Sequence, residues 1–169
     1  MDAALLLPLL FACAPQVHAE TASALVQVES GDNPWAIGVV GGLLDRQPRE
    51  PGEALVTARA LRQAGWNFSV GLAQINVTHL ARLGLTLEQA FDPCINLAAM
   101  QTLLLDCFTR AEGSRADPRG QQPALRRALS CYYSGNFTTG LRQGYVGKVL
   151  RAADAQRSTA SSNTAKESP

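Results

Sequence analysis

The chain has 169 residues, 46% apolar and 17% charged, with 15 basic and 14 acidic side chains and a formal net charge of +1. That length holds one domain with a substantial core and not two of ordinary size, and the composition excludes wholesale disorder. A near-neutral balance without a basic run points to neither nucleic acid nor an anionic membrane surface as a partner.

The first apolar run, Ala3 to Ala14, has the length of a secretory apolar core, and Val17-His18-Ala19 resembles a small-residue cleavage pattern. No Lys or Arg precedes it, and it is too short to span a membrane. Residues 1–19 therefore read either as an export signal or as the first helix of the domain. Ala22 to Glu29 reads as a helix, with Ala22, Leu25 and Val26 on its apolar stripe and Gly31 just past its end. A carboxyl group held at that end by an apolar face is partly desolvated, which favours its neutral form and makes Glu29 a candidate proton donor near neutral pH. The plainer alternative is a solvated Glu in a last helical turn.

Asp32-Asn33-Pro34 forces a turn, and Ile37, Val39 and Val40 among glycines predict a short extended excursion or hairpin. Pro48 and Pro51 mark a loop, after which Glu53 to Ala64 carries helical spacing up to Gly65. Trp66 to Leu72 reads as a returning strand, followed by Gln74-Ile75-Asn76; Asn76 or Thr78 then caps a short helix that ends at Gly84. Asp92-Pro93 opens the longest helix, expected from Pro93 to about Glu112, with Leu97, Met100, Leu103, Leu104, Cys107, Phe108 and Ala111 facing the core. Gly113 to Gln122 reads as a loop, and Ala124 to Tyr132 as a helix. Gly135, Gly140 and Gly144 break the next stretch into turns before a last helix face at Tyr145, Val149 and Ala152. Hydrophobic residues then vanish, so a domain of residues 1–152 is expected to end in a disordered tail, 153–169.

Cys13, Cys94, Cys107 and Cys131 are scattered without CxxC spacing, and His18 and His79 are the two histidines, which makes a metal site a weak reading. An even number of scattered cysteines suits disulfides in an oxidising compartment, with buried thiols as the alternative.

Four segments carry a family resemblance: Val28-Glu29-Ser30-Gly31, Gly71-Leu72-Ala73-Gln74-Ile75-Asn76, Cys131-Tyr132-Tyr133-Ser134-Gly135-Asn136 and Gly144-Tyr145-Val146. In order and spacing they resemble the motifs of the lysozyme-like lytic transglycosylases that cut bacterial peptidoglycan, in particular the transglycosylase component of type IV secretion and conjugation systems. The likeness covers roughly Cys13 to Leu150. It implies a mainly α, lysozyme-like single domain with a short extended excursion between the catalytic helix and the Gly-Leu-Ala-Gln-Ile-Asn stretch.

The resemblance places the catalytic acid on Glu29 and its serine partner on Ser30. Gln74 and Asn76 become a cleft wall that hydrogen-bonds sugar hydroxyls or acetamido groups, and Tyr132 and Tyr145 become tyrosines near the acid. Each has a plainer reading: Gln74 and Asn76 as caps of the next helix, the tyrosines as core rings with backbone partners, Ser30 as a turn residue. Tyr133 departs from the pattern, since many relatives carry Asn there. Trp35 and Trp66 read equally as cleft-lining or core rings. Relatives that carry only two cysteines imply a Cys13–Cys94 bridge, leaving Cys107–Cys131 as the second.

The implied reaction needs one carboxylate and no cofactor or metal, and neither Asp32 nor Asp45 falls at a catalytic position. Glu29 protonates the oxygen between N-acetylmuramic acid and N-acetylglucosamine, and the muramic C6 hydroxyl closes a 1,6-anhydro ring. Implied partners are peptidoglycan glycan strands and secretion-system components, and the implied location is the periplasm. A hydrolytic muramidase and a peptidoglycan-binding scaffold protein are the alternatives.

Overall fold

The computed structural model describes residues 3–112 and 118–164. In chain order these form α1 (Ala3–Cys13), α2 (Ala19–Ser30), β1 (Ile37–Val39), α3 (Pro51–Gln63), β2 (Phe68–Val70), β3 (Ile75–Asn76), α4 (Leu80–Leu83), α5 (Pro93–Arg110), α6 (Pro118–Ser134), α7 (Thr139–Arg142) and α8 (Tyr145–Thr164). The architecture is mainly α with one small antiparallel sheet, as the lysozyme-like reading expects.

Helix α5 is the axis of the core. Asp92 accepts a hydrogen bond from the Ile95 amide at 2.9 Å, and Pro93 occupies the first turn, so cap and proline together fix where the helix starts. Leu97, Met100, Leu103, Leu104 and Cys107 are buried along one stripe, which α1 and α6 flank. Helix α1 buries Leu6, Leu10 and Cys13, and Cys13 is joined to Cys94 at the start of α5. Cys107 is joined to Cys131, tying α5 to α6. Both pairs match the expected partners. No helix among the described residues is long and apolar enough to cross a membrane.

The sheet has the order β1-β2-β3, with Ile37 opposite Val70, Val39 opposite Phe68, and Val70 opposite Ile75. Its outer edge is closed by a side chain: Gln47 accepts from the Ile37 amide at 2.8 Å and donates to the Ile37 carbonyl at 2.9 Å, satisfying an edge that would otherwise face water. Helix α3 fills the long connection from β1 to β2 and buries Ala54 and Ala58 against the core.

Two expectations change. The stretch from Gly113 to Gln122 is not a loop throughout, because α6 already begins at Pro118; residues 113–117 lie outside the described residues. Nor does the chain lose structure at residue 153, since α8 continues to Thr164. Ala152 and Ala153 still pack on the core, and Arg157 pairs with Glu20 of α2 at 3.2 Å and with Asp154 of its own helix. Polar composition hid a helix supported by ion pairs rather than by an apolar stripe. Residues 165–169 of the expected tail lie outside the described residues.

Candidate active site

Glu29 sits in the last turn of α2, one turn beyond the fully buried Leu25 and Val26. The helix stops at Gly31, which takes the left-handed conformation at φ 58° while its amide bonds the Gln27 carbonyl at 3.1 Å. The carboxyl group is deeply enclosed while the residue keeps partial access to a cleft of about 580 Å³. Burial lifts its pKa from the ordinary 4.5 to about 7, against the opposing pull of a hydrogen bond from Tyr145. The carbonyl end of a helix also disfavours a negative charge. Near neutrality both protonation states are therefore populated, which suits a group that first donates and then accepts a proton.

The Tyr145 hydroxyl, at the start of α8, donates to Glu29 Oε1. Burial, followed by the neighbouring Glu29 charge, keeps the Tyr145 phenol far above its ordinary pKa, so it remains a donor. Tyr145 is buried and stands behind Glu29 instead of lining the cleft. Tyr133 stacks on Tyr145 with ring centroids 4.4 Å apart and planes 16° apart, and donates its hydroxyl to Gln143 Oε1 at 3.1 Å. The Tyr133 ring thus packs on the tyrosine that holds the acid. Tyr132 lines the cleft, and its hydroxyl donates to the Ala73 carbonyl at 2.6 Å; burial and the Glu29 charge push its pKa up as well.

The opposite wall is the β2–β3 turn. Gln74 lines the cleft in the left-handed region at φ 50°, and its Nε2 donates to the Ala36 and Gly71 carbonyls, each at 3.0 Å. Those bonds hold a backbone conformation that a non-glycine residue seldom adopts. Gly38 of β1 leaves room for this side chain, since a Cβ there would come 2.6 Å from Gln74 Oε1. Asn76 also lines the cleft. Its Oδ1 accepts from the Thr78 amide at 3.0 Å and the Thr78 hydroxyl at 2.7 Å, and its Nδ2 donates to Ser69 at 3.3 Å, which matches the capping alternative.

Not every expected residue meets the cleft. The Ser30 hydroxyl turns back to the Val26 carbonyl at 3.2 Å, and Ser30 is not among the lining residues. Trp35 packs against the core and Trp66 is exposed, and neither lines the cleft. Asp32 and Asp45 are also absent from its walls. The second carboxylate that does line it is Asp106, whose Oδ2 lies 3.1 Å from Arg110 Nη2 and 3.9 Å from Arg82 Nη1. Among the described residues no group of three His, Cys, Asp or Glu side chains is arranged to hold a metal ion.

Asn96 is a support that sequence reasoning missed. Buried within α5, it accepts from the Ala73 amide at 2.8 Å and donates to the Val70 and Ala90 carbonyls at 3.0 and 2.7 Å. It pins the Gly71–Gln74 turn to the core, and Gly71, at φ 80°, is packed so closely on its amide that a Cβ would collide with it. The signal was available: Asn96 shares a helical stripe with Met100, Leu103 and Cys107, and a polar residue on an apolar stripe must find partners. Arg82, Asp106 and Arg110 carry no comparable local mark.

A family model described as the transglycosylase SLT domain matches residues 11–154. The type IV secretion system protein virB1 of Brucella abortus is 52% identical over 147 residues, covering 84% of this chain and 61% of that protein. Protein virB1 of Agrobacterium fabrum is 39% identical over 143 residues, covering 83% of the chain and 56% of that protein, and protein virB1 of Rhizobium radiobacter is 38% identical over 145 residues, covering 85% and 58%. The chain thus spans about three fifths of the length of the curated relatives it matches. No solved structure matches it. The match at 11–154 spans α2, the Gly71–Asn76 turn and the start of α8, and the chain belongs to the transglycosylase SLT domain family.

Proposed function

We propose that the chain is a peptidoglycan lytic transglycosylase that opens the cell wall for a type IV secretion apparatus in the periplasm, with Glu29 as its one acid–base group. The observation that carries this is Glu29 itself, a cleft carboxyl with a pKa raised to about 7 by burial and oriented by Tyr145, in a chain of the SLT family. The virB1 proteins named above support the secretion-system setting.

With Oε1 accepting from Tyr145, the acidic proton belongs on Oε2. That proton passes to the glycosidic oxygen between N-acetylmuramic acid and N-acetylglucosamine as the muramic C1–O bond breaks. Positive charge developing at C1 is eased by the sugar's own N-acetyl oxygen. Glu29, now a carboxylate, takes the proton of the muramic C6 hydroxyl while that oxygen bonds C1. One C–O bond is lost and one gained, a single proton has moved from O6 to the leaving oxygen, and no water enters.

Paired-carboxylate glycosidases need a second group as nucleophile or as base for water. Here the other carboxylate among the described cleft residues, Asp106, is hydrogen-bonded by Arg110, with the Arg82 cation 3.9 Å away, which favours the intramolecular route over hydrolysis. Purified sacculi digested with the protein should release anhydromuropeptides, one water lighter in the mass spectrum than hydrolysis products. Glu29→Gln should fold normally and lower that release by about a thousandfold or more. Reducing-end products from the wild type would replace transfer by hydrolysis, and full activity in Glu29→Gln would sink the assignment of the acid.

A further inference from the structure

The reaction above leaves three charged side chains of the cleft unused. Arg82 on α4 and Asp106 and Arg110 on the last turns of α5 line the same cleft as Glu29. Asp106 Oδ2 accepts from Arg110 Nε at 3.2 Å and lies 3.1 Å from its Nη2, whereas Arg82 Nη1 is 3.9 Å from that oxygen, too far for a direct hydrogen bond. All three side chains remain about half exposed, at 57%, 42% and 51% for Arg82, Asp106 and Arg110. His79 beside them is a weaker cation than an ordinary histidine, since burial and the Arg82 charge hold its pKa below the ordinary value. With Glu29 in its acid form, two cations face one anion, and the wall of α4 and α5 is positive.

A neutral N-acetylated glycan gives that charge nothing to bind. In peptidoglycan the carboxylates are on the peptide stems, which hang from the lactyl groups of the muramic residues and must lie in or beside any cleft that holds the strand. Forked guanidinium donors match a carboxylate in both charge and geometry. Arg110 is held ready for this: its Nη2 lies 3.4 and 3.1 Å from the sulfurs of Cys107 and Cys131, and its guanidinium carbon is 5.9 Å from the centre of the Phe137 ring.

We infer that Arg82 and Arg110 form a subsite for a carboxylate of the peptide stem, so that the cleft selects stem-bearing strands over glycan without a free carboxylate. This rests on the reading of the chain as acting on peptidoglycan. Arg110 supplies a fixed cation and Arg82 the second arm, which gains a stronger partner than its distant contact with Asp106.

The test measures affinity in the Glu29→Gln background, where the ligand is not consumed, for glycan oligosaccharides with intact stems and for the same oligosaccharides stripped by an amidase, with the lactyl carboxylates this frees capped as methylamides. Stem-bearing strands should bind about tenfold tighter, and the preference should shrink as salt rises. Arg82→Gln with Arg110→Gln should bring the ratio close to one, Arg82→Gln alone should lower it about threefold, and Lys at both positions should restore part of it. A ratio near one in the Glu29→Gln protein, or a ratio unchanged by Arg82→Gln in protein that melts like the parent, overturns the subsite. Absence of product from the otherwise unaltered chain would count against transglycosylase activity and leave this binding comparison standing.

Discussion

The two walls of the cleft treat polar groups in opposite ways. On the α2 wall, Glu29 is enclosed with its protonation balanced near neutrality, and Tyr145 orients one of its oxygens. On the Gly71–Asn76 wall, the cleft side chains are tied into the backbone: Gln74 to the Ala36 and Gly71 carbonyls, Asn76 to the Thr78 amide, and Asn96 behind them to Ala73, Val70 and Ala90. An acid works because its charged form is poorly solvated, whereas a wall keeps its shape because its polar groups are satisfied. Changes on the first wall should therefore appear in pH dependence and rate, and changes on the second in stability.

The largest consequence of the first wall is a link between pH and folding. Burial places the folded-state pKa of Glu29 near 7, above the 4.5 expected of an exposed Glu, so the folded protein binds this proton more tightly than the unfolded chain. The resulting stabilisation is complete below pH 4.5 and is lost as pH rises through about 7. The full span corresponds to about 3 kcal/mol. Glu29→Gln lacks this titration, so its unfolding free energy should not share the part of the wild-type decline that Glu29 causes, leaving the variant more stable at pH 8 relative to pH 4.5 than the wild type is. Parallel urea titrations between pH 4.5 and 8 would show this. Wild-type and variant curves that run parallel would mean that Glu29 is solvated, and the contrast between the walls would collapse. The rate should fall in the same direction, about tenfold per pH unit above pH 7, as the acid form disappears.

The second wall is broken at Asn96. Asn96→Ala leaves the Ala73 amide and two carbonyls without their partner in a buried site, which should cost about 2–3 kcal/mol in denaturant unfolding. Its alkaline rate limb should stay where the wild type has it, because the environment of Glu29 is not altered directly. A shifted limb would show that the two walls are coupled.

Tyr145→Phe tests the first wall more finely. The hydrogen bond from Tyr145 lowers the Glu29 pKa against the effect of burial, so removing the hydroxyl should move the alkaline limb upward. Loss of orientation should slow turnover about tenfold, while the ring and its stack on Tyr133 persist. A downward shift of the limb would show that the Tyr145 bond favours the acid form of Glu29 over its carboxylate.

How much of this was legible in the sequence follows the same division. Elements marked by local chemistry could be read: the Asp92-Pro93 start of α5, the Gly31 stop of α2 and the Asn76 cap each depend on neighbours within a few residues. The position of Glu29 beyond an apolar stripe gave a physical reason for a raised pKa before any fold was known. What could not be read depends on distant chain segments. Tyr145 reaches Glu29 across 116 residues, and Tyr132 reaches Ala73 across 59. Gln74 lies in a left-handed turn that no motif announces, and Arg82 of α4 approaches Asp106 of α5 only in the folded chain. The continuation of α8 past residue 153 was missed for a related reason: Arg157 finds Glu20 at the other end of the chain.

The smallest effect is also the one that best separates the roles a wall residue can have. Asn76 has two readings, a sugar contact and a cap, and its Oδ1 already accepts from both the Thr78 amide and the Thr78 hydroxyl. If capping is its main work, Asn76→Ala should cost about 1 kcal/mol of stability, and Asn76→Asp, which keeps the acceptor, should recover most of it. If the amide holds an acetamido group, both substitutions should raise KM severalfold at unchanged stability, since Asp retains the acceptor but loses the Nδ2 donor. Because Oδ1 is occupied twice over and Nδ2 is shared with Ser69 at 3.3 Å, a long and readily exchanged bond, the amide hydrogens are the part of Asn76 that a sugar can recruit. The expected pattern is therefore mixed: stability tracks the oxygen, KM tracks the nitrogen, and the kcat of both variants stays within about twofold of the wild type, since neither touches Glu29.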